Sequence, residues 1–208
     1  MEGGSRPYSL EEGRELVWTA RHVIEALTTL PDFNKKIAEE RLTHFKGRHG
    51  VFVTIEHYPT KALRGCIGFT EPIAPMSSML VEAAIAAASE DPRFVPVSHR
   101  ELEHITIEVS VLTEPAPIAG GTEASILRGV KVGRDGLMVR YGYSTGLLLP
   151  IVAVEEKWNA RQFLDNVCIK AGIHEHAWKT GQAKIYRFTT QVFTEREPRG
   201  VVEEVILK

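Results

Sequence analysis

Ile105-Thr106-Ile107-Glu108-Val109-Ser110-Val111 alternates apolar and polar residues without a break. A period of two places every second side chain on one side of an extended chain, so the stretch is predicted as a strand with one apolar face. Upstream, Val51-Phe52-Val53-Thr54-Ile55 is β-branched and aromatic and reads as a buried strand. Tyr58-Pro59-Thr60 reads as a connecting loop, and Leu63 to Phe69 as a second strand entered through Gly65. Met76 to Ser89 is an alanine-rich helix whose small residues permit close packing. Asp91-Pro92-Arg93-Phe94 breaks it, because Pro92 lacks an amide hydrogen and restrains Asp91. Near the start, Ser9-Leu10-Glu11-Glu12 fits a capping box. Behind it, Leu16, Ala20, Val23 and Leu27 recur on one helical face, leaving Glu11, Arg14 and Arg21 to water. Pro31 ends this helix, and Asp32 is predicted to cap a second one running to about Gly47.

Downstream, Pro115 and Pro117 followed by Gly120-Gly121 form the clearest internal boundary. Beyond it, Val130-Lys131-Val132 and Leu137 to Tyr141 flank Gly133-Arg134-Asp135-Gly136, and the Asp-Gly pair predicts a hairpin turn there. Leu147-Leu148-Leu149 reads as a short strand stopped by Pro150, joined to the preceding one by Gly142-Tyr143-Ser144-Thr145-Gly146. Trp158, Phe163, Leu164, Val167 and Cys168 then recur helically until Gly172, and Tyr186 to Phe193 and Val201 to Leu207 read as closing strands. Hairpins alternating with helices, without a regular βαβ series, predict an α+β fold.

A chain of 208 residues buries about 70 % of its unfolded surface, enough for a core without staples. The composition is 43 % apolar and 25 % charged, that of an ordinary soluble protein. With 25 Lys+Arg against 27 Asp+Glu the formal charge is −2, which argues against a dedicated nucleic-acid binder. Two cysteines, Cys66 and Cys168, make no disulfide framework and no zinc-type pairs. Met1-Glu2-Gly3-Gly4-Ser5-Arg6 carries no apolar stretch behind a basic end, and no apolar run approaches the roughly 20 residues of a membrane span. The expectation is a reduced, cytoplasmic protein that does not enter membranes.

The segment that stands out chemically is Leu63-Arg64-Gly65-Cys66-Ile67-Gly68. A thiol between two glycines has little side-chain cover, so a ligand or another backbone can come close. An unperturbed cysteine is only ~3 % thiolate at neutral pH. A guanidinium nearby raises that fraction, making Cys66 a candidate nucleophile and Arg64 its stabiliser or an anion binder. Arg64 shares the face of Cys66 only if the strand stays regular. The alternative is that Cys66 is a small buried hydrophobe. Of eight histidines, His57 at a strand end and His99 after the Asp91–Val97 turn are placed to fold back as a base. Asp91 and Arg93 sit on a proline-stiffened turn, either presented to a ligand or paired to hold it. His174-Glu175-His176 is too small a set for a metal site by itself, and no metal or cofactor is expected. The loop at Gly142–Gly146 matches neither the P-loop nor the dinucleotide fingerprint. Neither a Gly-x-Ser-x-Gly elbow nor a His-Glu-x-x-His helix is present.

Leu63-Arg64-Gly65-Cys66-Ile67-Gly68 resembles the signature of the AMMECR family, named for a chromosomal-region protein. The likeness extends to Asp91-Pro92-Arg93-Phe94-Val95-Pro96-Val97, Glu108-Val109-Ser110-Val111-Leu112, Gly133-Arg134-Asp135-Gly136-Leu137 and Gly146-Leu147-Leu148-Leu149-Pro150. Phe163-Leu164 and Lys170-Ala171-Gly172 continue it, so it covers nearly the whole chain. Two residues depart from it: Ile151 stands where a glutamine is expected, and Asn159 where an aspartate is. The resemblance implies a large subdomain, 1–116 and 181–208, with an antiparallel sheet flanked by helices. It implies a smaller inserted subdomain, 117–180, with a three-stranded sheet and helices, and a cleft lined by the signature. It further implies that this cleft binds a large partner, protein or peptide in the first place and nucleic acid as the alternative. Microbial members are associated with Memo-like and radical-SAM proteins, hinting at a shared modification pathway. The candidate binding residues are Leu63, Arg64, Gly65, Cys66, Ile67, Gly68, Asp91 and Arg93. In the competing reading the chain is a cysteine-dependent enzyme using Cys66 with Arg64, and His99 as a further candidate.

Overall fold

The computed structural model describes residues 7–30, 33–45, 49–120 and 122–205. In chain order they form α1 (Leu10–Thr29), α2 (Lys35–Arg41), β1 (Gly50–His57), β2 (Ala62–Phe69), α3 (Met76–Ser89), a 3-10 helix at His99–His104 and β3 (Ile105–Leu112). Next come β4 (Ala116–Pro117), α4 (Glu123–Arg128), β5 (Asp135–Tyr141), β6 (Ser144–Leu148), α5 (Pro150–Glu155) and α6 (Ala160–Lys170). A 3-10 helix at Ala177–Lys179, β7 (Lys184–Glu195) and β8 (Val202–Val205) complete the α+β fold. Among the described residues, two compact units contain 7–112 with 191–205, and 113–190.

In the first unit, β1 lies between β2 and β3, antiparallel to both. Alternation makes one face of these strands wholly apolar: Val51, Val53, Ile55, Ile105, Ile107, Val109 and Val111 are all fully buried. That face packs with α1 and α3 into a single core, to which Leu16, Ala20, Val23 and Leu80 contribute. Helix α1 starts as predicted, with Ser9 accepting from the Glu12 amide and the Glu12 carboxylate accepting from the Ser9 amide. Helix α2 is shorter than expected and is capped by Asn34, whose side chain accepts from the Lys36 amide; Asp32 lies outside the described residues.

Arg21 overturns its expectation. Instead of reaching water it is 5 % exposed. Its Nε and Nη2 donate to the two carboxylate oxygens of Glu195, both at 2.5 Å, and it also donates to the carbonyls of Leu102 and Ile105. Glu195 Oε2 in turn accepts from the Ile107 amide at 3.0 Å. This buried pair ties α1 to β3 and to the end of β7.

In the second unit, β5 pairs with β6 on one side and with the first half of β7 on the other, and β4 pairs with β7. Leu137, Val139, Phe163, Leu164, Val167, Cys168 and Trp178 form its core. These pairings carry the unit out to 113–190, beyond the 117–180 read from the Pro/Gly stretch. The hairpin turn predicted at Asp135-Gly136 is not there, because Val130-Lys131-Val132 is not a strand. Asp135 is buried and accepts from the Lys131 amide and the Arg134 guanidinium, closing a turn that leads into β5. The hairpin lies one strand later, at Gly142 with φ +57°. Asn159 caps α6 reciprocally with Gln162, so the departure from an expected aspartate leaves the capping function intact. Among the described residues no helix is long and apolar enough to cross a membrane.

Candidate functional site

Strand β2 does not stay regular, and this decides where Arg64 points. Ile55 pairs with Gly65 but the next residue, Glu56, pairs with Leu63, so Arg64 has no opposite residue in β1. Such a bulge re-aims the extra side chain. Arg64 is buried, with Nε donating to Glu101 Oε1 at 2.7 Å and Nη2 to the Val95 carbonyl at 2.9 Å. The paired guanidinium draws the Glu101 carboxyl down to about 2. Arg64 therefore secures the segment after α3 to β2, and it is not among the groups that bond to the Cys66 thiol.

Asp91 and Arg93 act on the same strand through its backbone. The Cys66 amide donates to Asp91 Oδ2 at 2.8 Å, and Arg93 Nη2 donates to the Cys66 carbonyl at 3.3 Å. The two side chains also bond each other, Nη2 to Oδ2 at 2.7 Å and Nε to Oδ1 at 2.9 Å. With that guanidinium beside it, Asp91 titrates well below the usual carboxylate range. The guanidinium carbons of Arg93 and Arg64 stand 5.5 and 5.7 Å from the ring centre of Phe94.

The glycines of the signature serve the fold. A Cβ on Gly65 would stand 2.3 Å from the Ala87 carbonyl oxygen, so its bareness lets α3 pack on β2. A Cβ on Gly68 would meet the Val51 carbonyl oxygen at 2.3 Å and the Phe52 ring at 2.5 Å. Leu63 is exposed and Ile67 packs partly on the core.

Cys66 is half-buried, and Thr54 Oγ1 donates to its Sγ at 3.2 Å. Burial pushes the thiol up, against smaller lowering effects of the Thr54 hydroxyl and the Arg93 charge. His99 is exposed at the start of the 3-10 helix, and no histidine bonds to the thiol among the described residues.

Thr54 pairs with Cys66 on one side and with Glu108 on the other, which sets the three side chains in one row on the face turned away from α1 and α3. Burial, reinforced by the nearby Glu56 carboxylate, pushes the Glu108 carboxyl up to about 7. The strand alternation carried the signal for Glu108, since Thr106, Glu108 and Ser110 fall on the polar side, but a single carboxylate on a half-wet face gave no reason to choose it. Beside this row the same face opens into a cavity of about 530 Å³, lined by Glu56, Lys61, Glu108, Thr194, Arg196 and Glu203.

An acid with a raised folded pKa holds its proton more tightly in the folded than in the unfolded chain. Its burial is uncompensated at high pH and harmless below the ordinary glutamate pKa of about 4.3. Glu108→Gln is therefore expected to leave stability unchanged at pH 4 and to raise it by roughly 1–3 kcal/mol at pH 8. Thermal melts of both proteins across that range check this; a pH-independent gap contradicts it.

In the second unit, Gly142 and Tyr143 form the β5–β6 turn. His176 Nδ1 and Trp178 Nε1 share Asp165 Oδ1 at 3.2 and 2.7 Å. Among the described residues no group of three or more His, Cys, Asp or Glu is arranged to hold a metal ion.

The family model described as AMMECR1 matches residues 17–193. A protein of Thermofilum pendens is 43 % identical over 96 % of this chain and 97 % of its own. Protein MJ0810 of Methanocaldococcus jannaschii is 46 % identical over 97 % of this chain and all of its own. Among solved structures, uncharacterized protein PH0010 from Pyrococcus horikoshii is 42 % identical and superposes with a TM-score of 0.83, covering 97 % of this chain and 100 % of that one.

Proposed function

The chain belongs to the AMMECR1 family, and from that premise we propose that it is a binding module holding a protein or peptide segment against the β1–β2–β3 face that carries Cys66, Thr54 and Glu108. The observation that supports this reading is how the charged groups of the signature are used. Arg64 is bonded to Glu101 and to the Val95 carbonyl, and Asp91 with Arg93 grips the backbone of Cys66. These bonds stiffen a surface without activating a nucleophile. The thiol is raised, with a hydroxyl beside it where catalysis would need a base. This favours binding over cysteine-dependent catalysis. A formal charge of −2 and three carboxylates lining the adjoining cavity favour protein over nucleic acid. Memo-like and radical-SAM proteins, which the family resemblance associates with microbial members, are the first whole partners to test.

Panning a random peptide library against the chain, with Thr54→Arg as counter-screen, tests the reading. A recurring peptide motif that the folded variant no longer captures is the expected result. Equal capture by both proteins, or no motif, overturns it. Cys66 is expected to react with iodoacetamide at pH 7 more slowly than a model thiol; faster alkylation would transfer the assignment to the thiol enzyme.

A further inference from the structure

The cavity beside the Cys66 row has an unbalanced lining. Lys61 Nζ lies 2.9 Å from Glu56 Oε2, and Arg196 is paired with Glu203. The Glu195 carboxylate is fully buried and taken by Arg21. Glu108 is different: Lys61, already bonded to Glu56, acts on it only as a nearby charge. Among the described residues no cation bonds to it. A half-buried carboxyl at a cavity wall that no cation bonds to is electrostatically incomplete, and the group that completes it is a positive charge from outside. Val205 and Thr194 line the same cavity, and Val205 offers apolar wall to an alkyl stem. The volume, about 530 Å³, falls within the range of pockets that hold small ligands or single side chains.

We propose that this cavity receives the lysine or arginine side chain of the bound segment, its cation meeting Glu108 and its stem lying along Val205 and Thr194. The inference rests on the peptide-binding reading above and names the residue type that the face selects. Anionic ligands are disfavoured because both cations at the cavity, Lys61 and Arg196, already hold carboxylates. The groups facing Glu108 set the pH dependence. Glu56 beside it raises its titration and Lys61 lowers it, while Arg196 and Glu203 across the cavity form a neutral pair. Only the carboxylate accepts the incoming cation, so affinity rises as pH passes upward through 7 and binding releases a proton.

The test is NMR titration of the isotope-labelled chain with three probes: Nα-acetyl-lysine amide, Nα-acetyl-arginine amide and the uncharged Nα-acetyl-norleucine amide. The basic probes are expected to shift the amides of Glu108, Thr194 and Lys61 and to saturate on the order of 1 mM, as small ligands do. Affinity should fall about tenfold between pH 8 and pH 6, as a group titrating near 7 requires. Norleucine amide should shift nothing, and Glu108→Gln, whose dispersed spectrum reports an intact fold, should lose the response. Equal shifts from norleucine amide, or unchanged lysine binding by Glu108→Gln, overturn the inference. The two proposals fail separately. Panned peptides without a basic residue would remove this inference and leave the peptide-binding reading standing. Lysine amide binding without any enriched peptide would do the reverse.

Discussion

Glu195→Ala is expected to destabilise the folded chain by about 3–5 kcal/mol, the scale for breaking a buried ion pair from one side. Arg21 would be left in the core with two backbone carbonyls and only the partly exposed Glu25 carboxylate, 3.6 Å away, as counter-charge, and the Ile107 amide would lose its acceptor. The double variant Arg21→Met with Glu195→Leu should be less damaged than either single change, because no charge is then stranded. Urea unfolding followed by circular dichroism reads the difference. A Glu195→Ala protein as stable as the parent would mean that the pair has no part in holding α1 to β3.

Gly65→Val is the second change expected to be severe. The obstruction is the carbonyl oxygen of Ala87, 2.3 Å from the position a Cβ would take, and a helix backbone cannot swing aside as a side chain can. Overpacking of this kind costs about 1–3 kcal/mol and more when backbone must move. Truncating the neighbour gives no relief: Gly65→Val with Ala87→Gly should melt no higher than Gly65→Val alone, since the oxygen remains. Rescue by that second change would show the contact to be with a side chain after all. An outcome of this kind would also restore the idea that the bare position is kept for a ligand.

Elements whose signals are local were legible in the sequence. Met76–Ser89 is the helix α3 with the same ends, and the Ile105–Val111 alternation is the core of β3. The Ser9–Glu12 cap forms because both partners lie within one turn. What could not be read depends on distant partners. Arg21 looked solvent-facing because its counter-ion is 174 positions away. Arg64 looked available for chemistry because a bulge is a property of two strands together, and nothing in Leu63–Gly68 alone announces the missing residue opposite it. The Asp135-Gly136 pair misled because a turn closed by a carboxylate and one joining two strands use the same residues. Of the candidate residues, Cys66, Asp91 and Arg93 meet around one backbone unit. Glu108 was passed over, because its place beside Thr54 and its burial appear only once β1 and β3 are paired.

The ion pair astride Cys66 has one more consequence, for how the protein behaves when crowded. Strand β2 closes one end of the sheet order, and an end strand offers unpaired rungs on which a stranger's chain can build. At Cys66 that rung is already filled, its amide by Asp91 and its carbonyl by Arg93. The clasp imitates a neighbouring strand for the length of a single residue and leaves a charged, proline-flanked stub where a real one could continue. At that residue an incoming strand would find neither donor nor acceptor free.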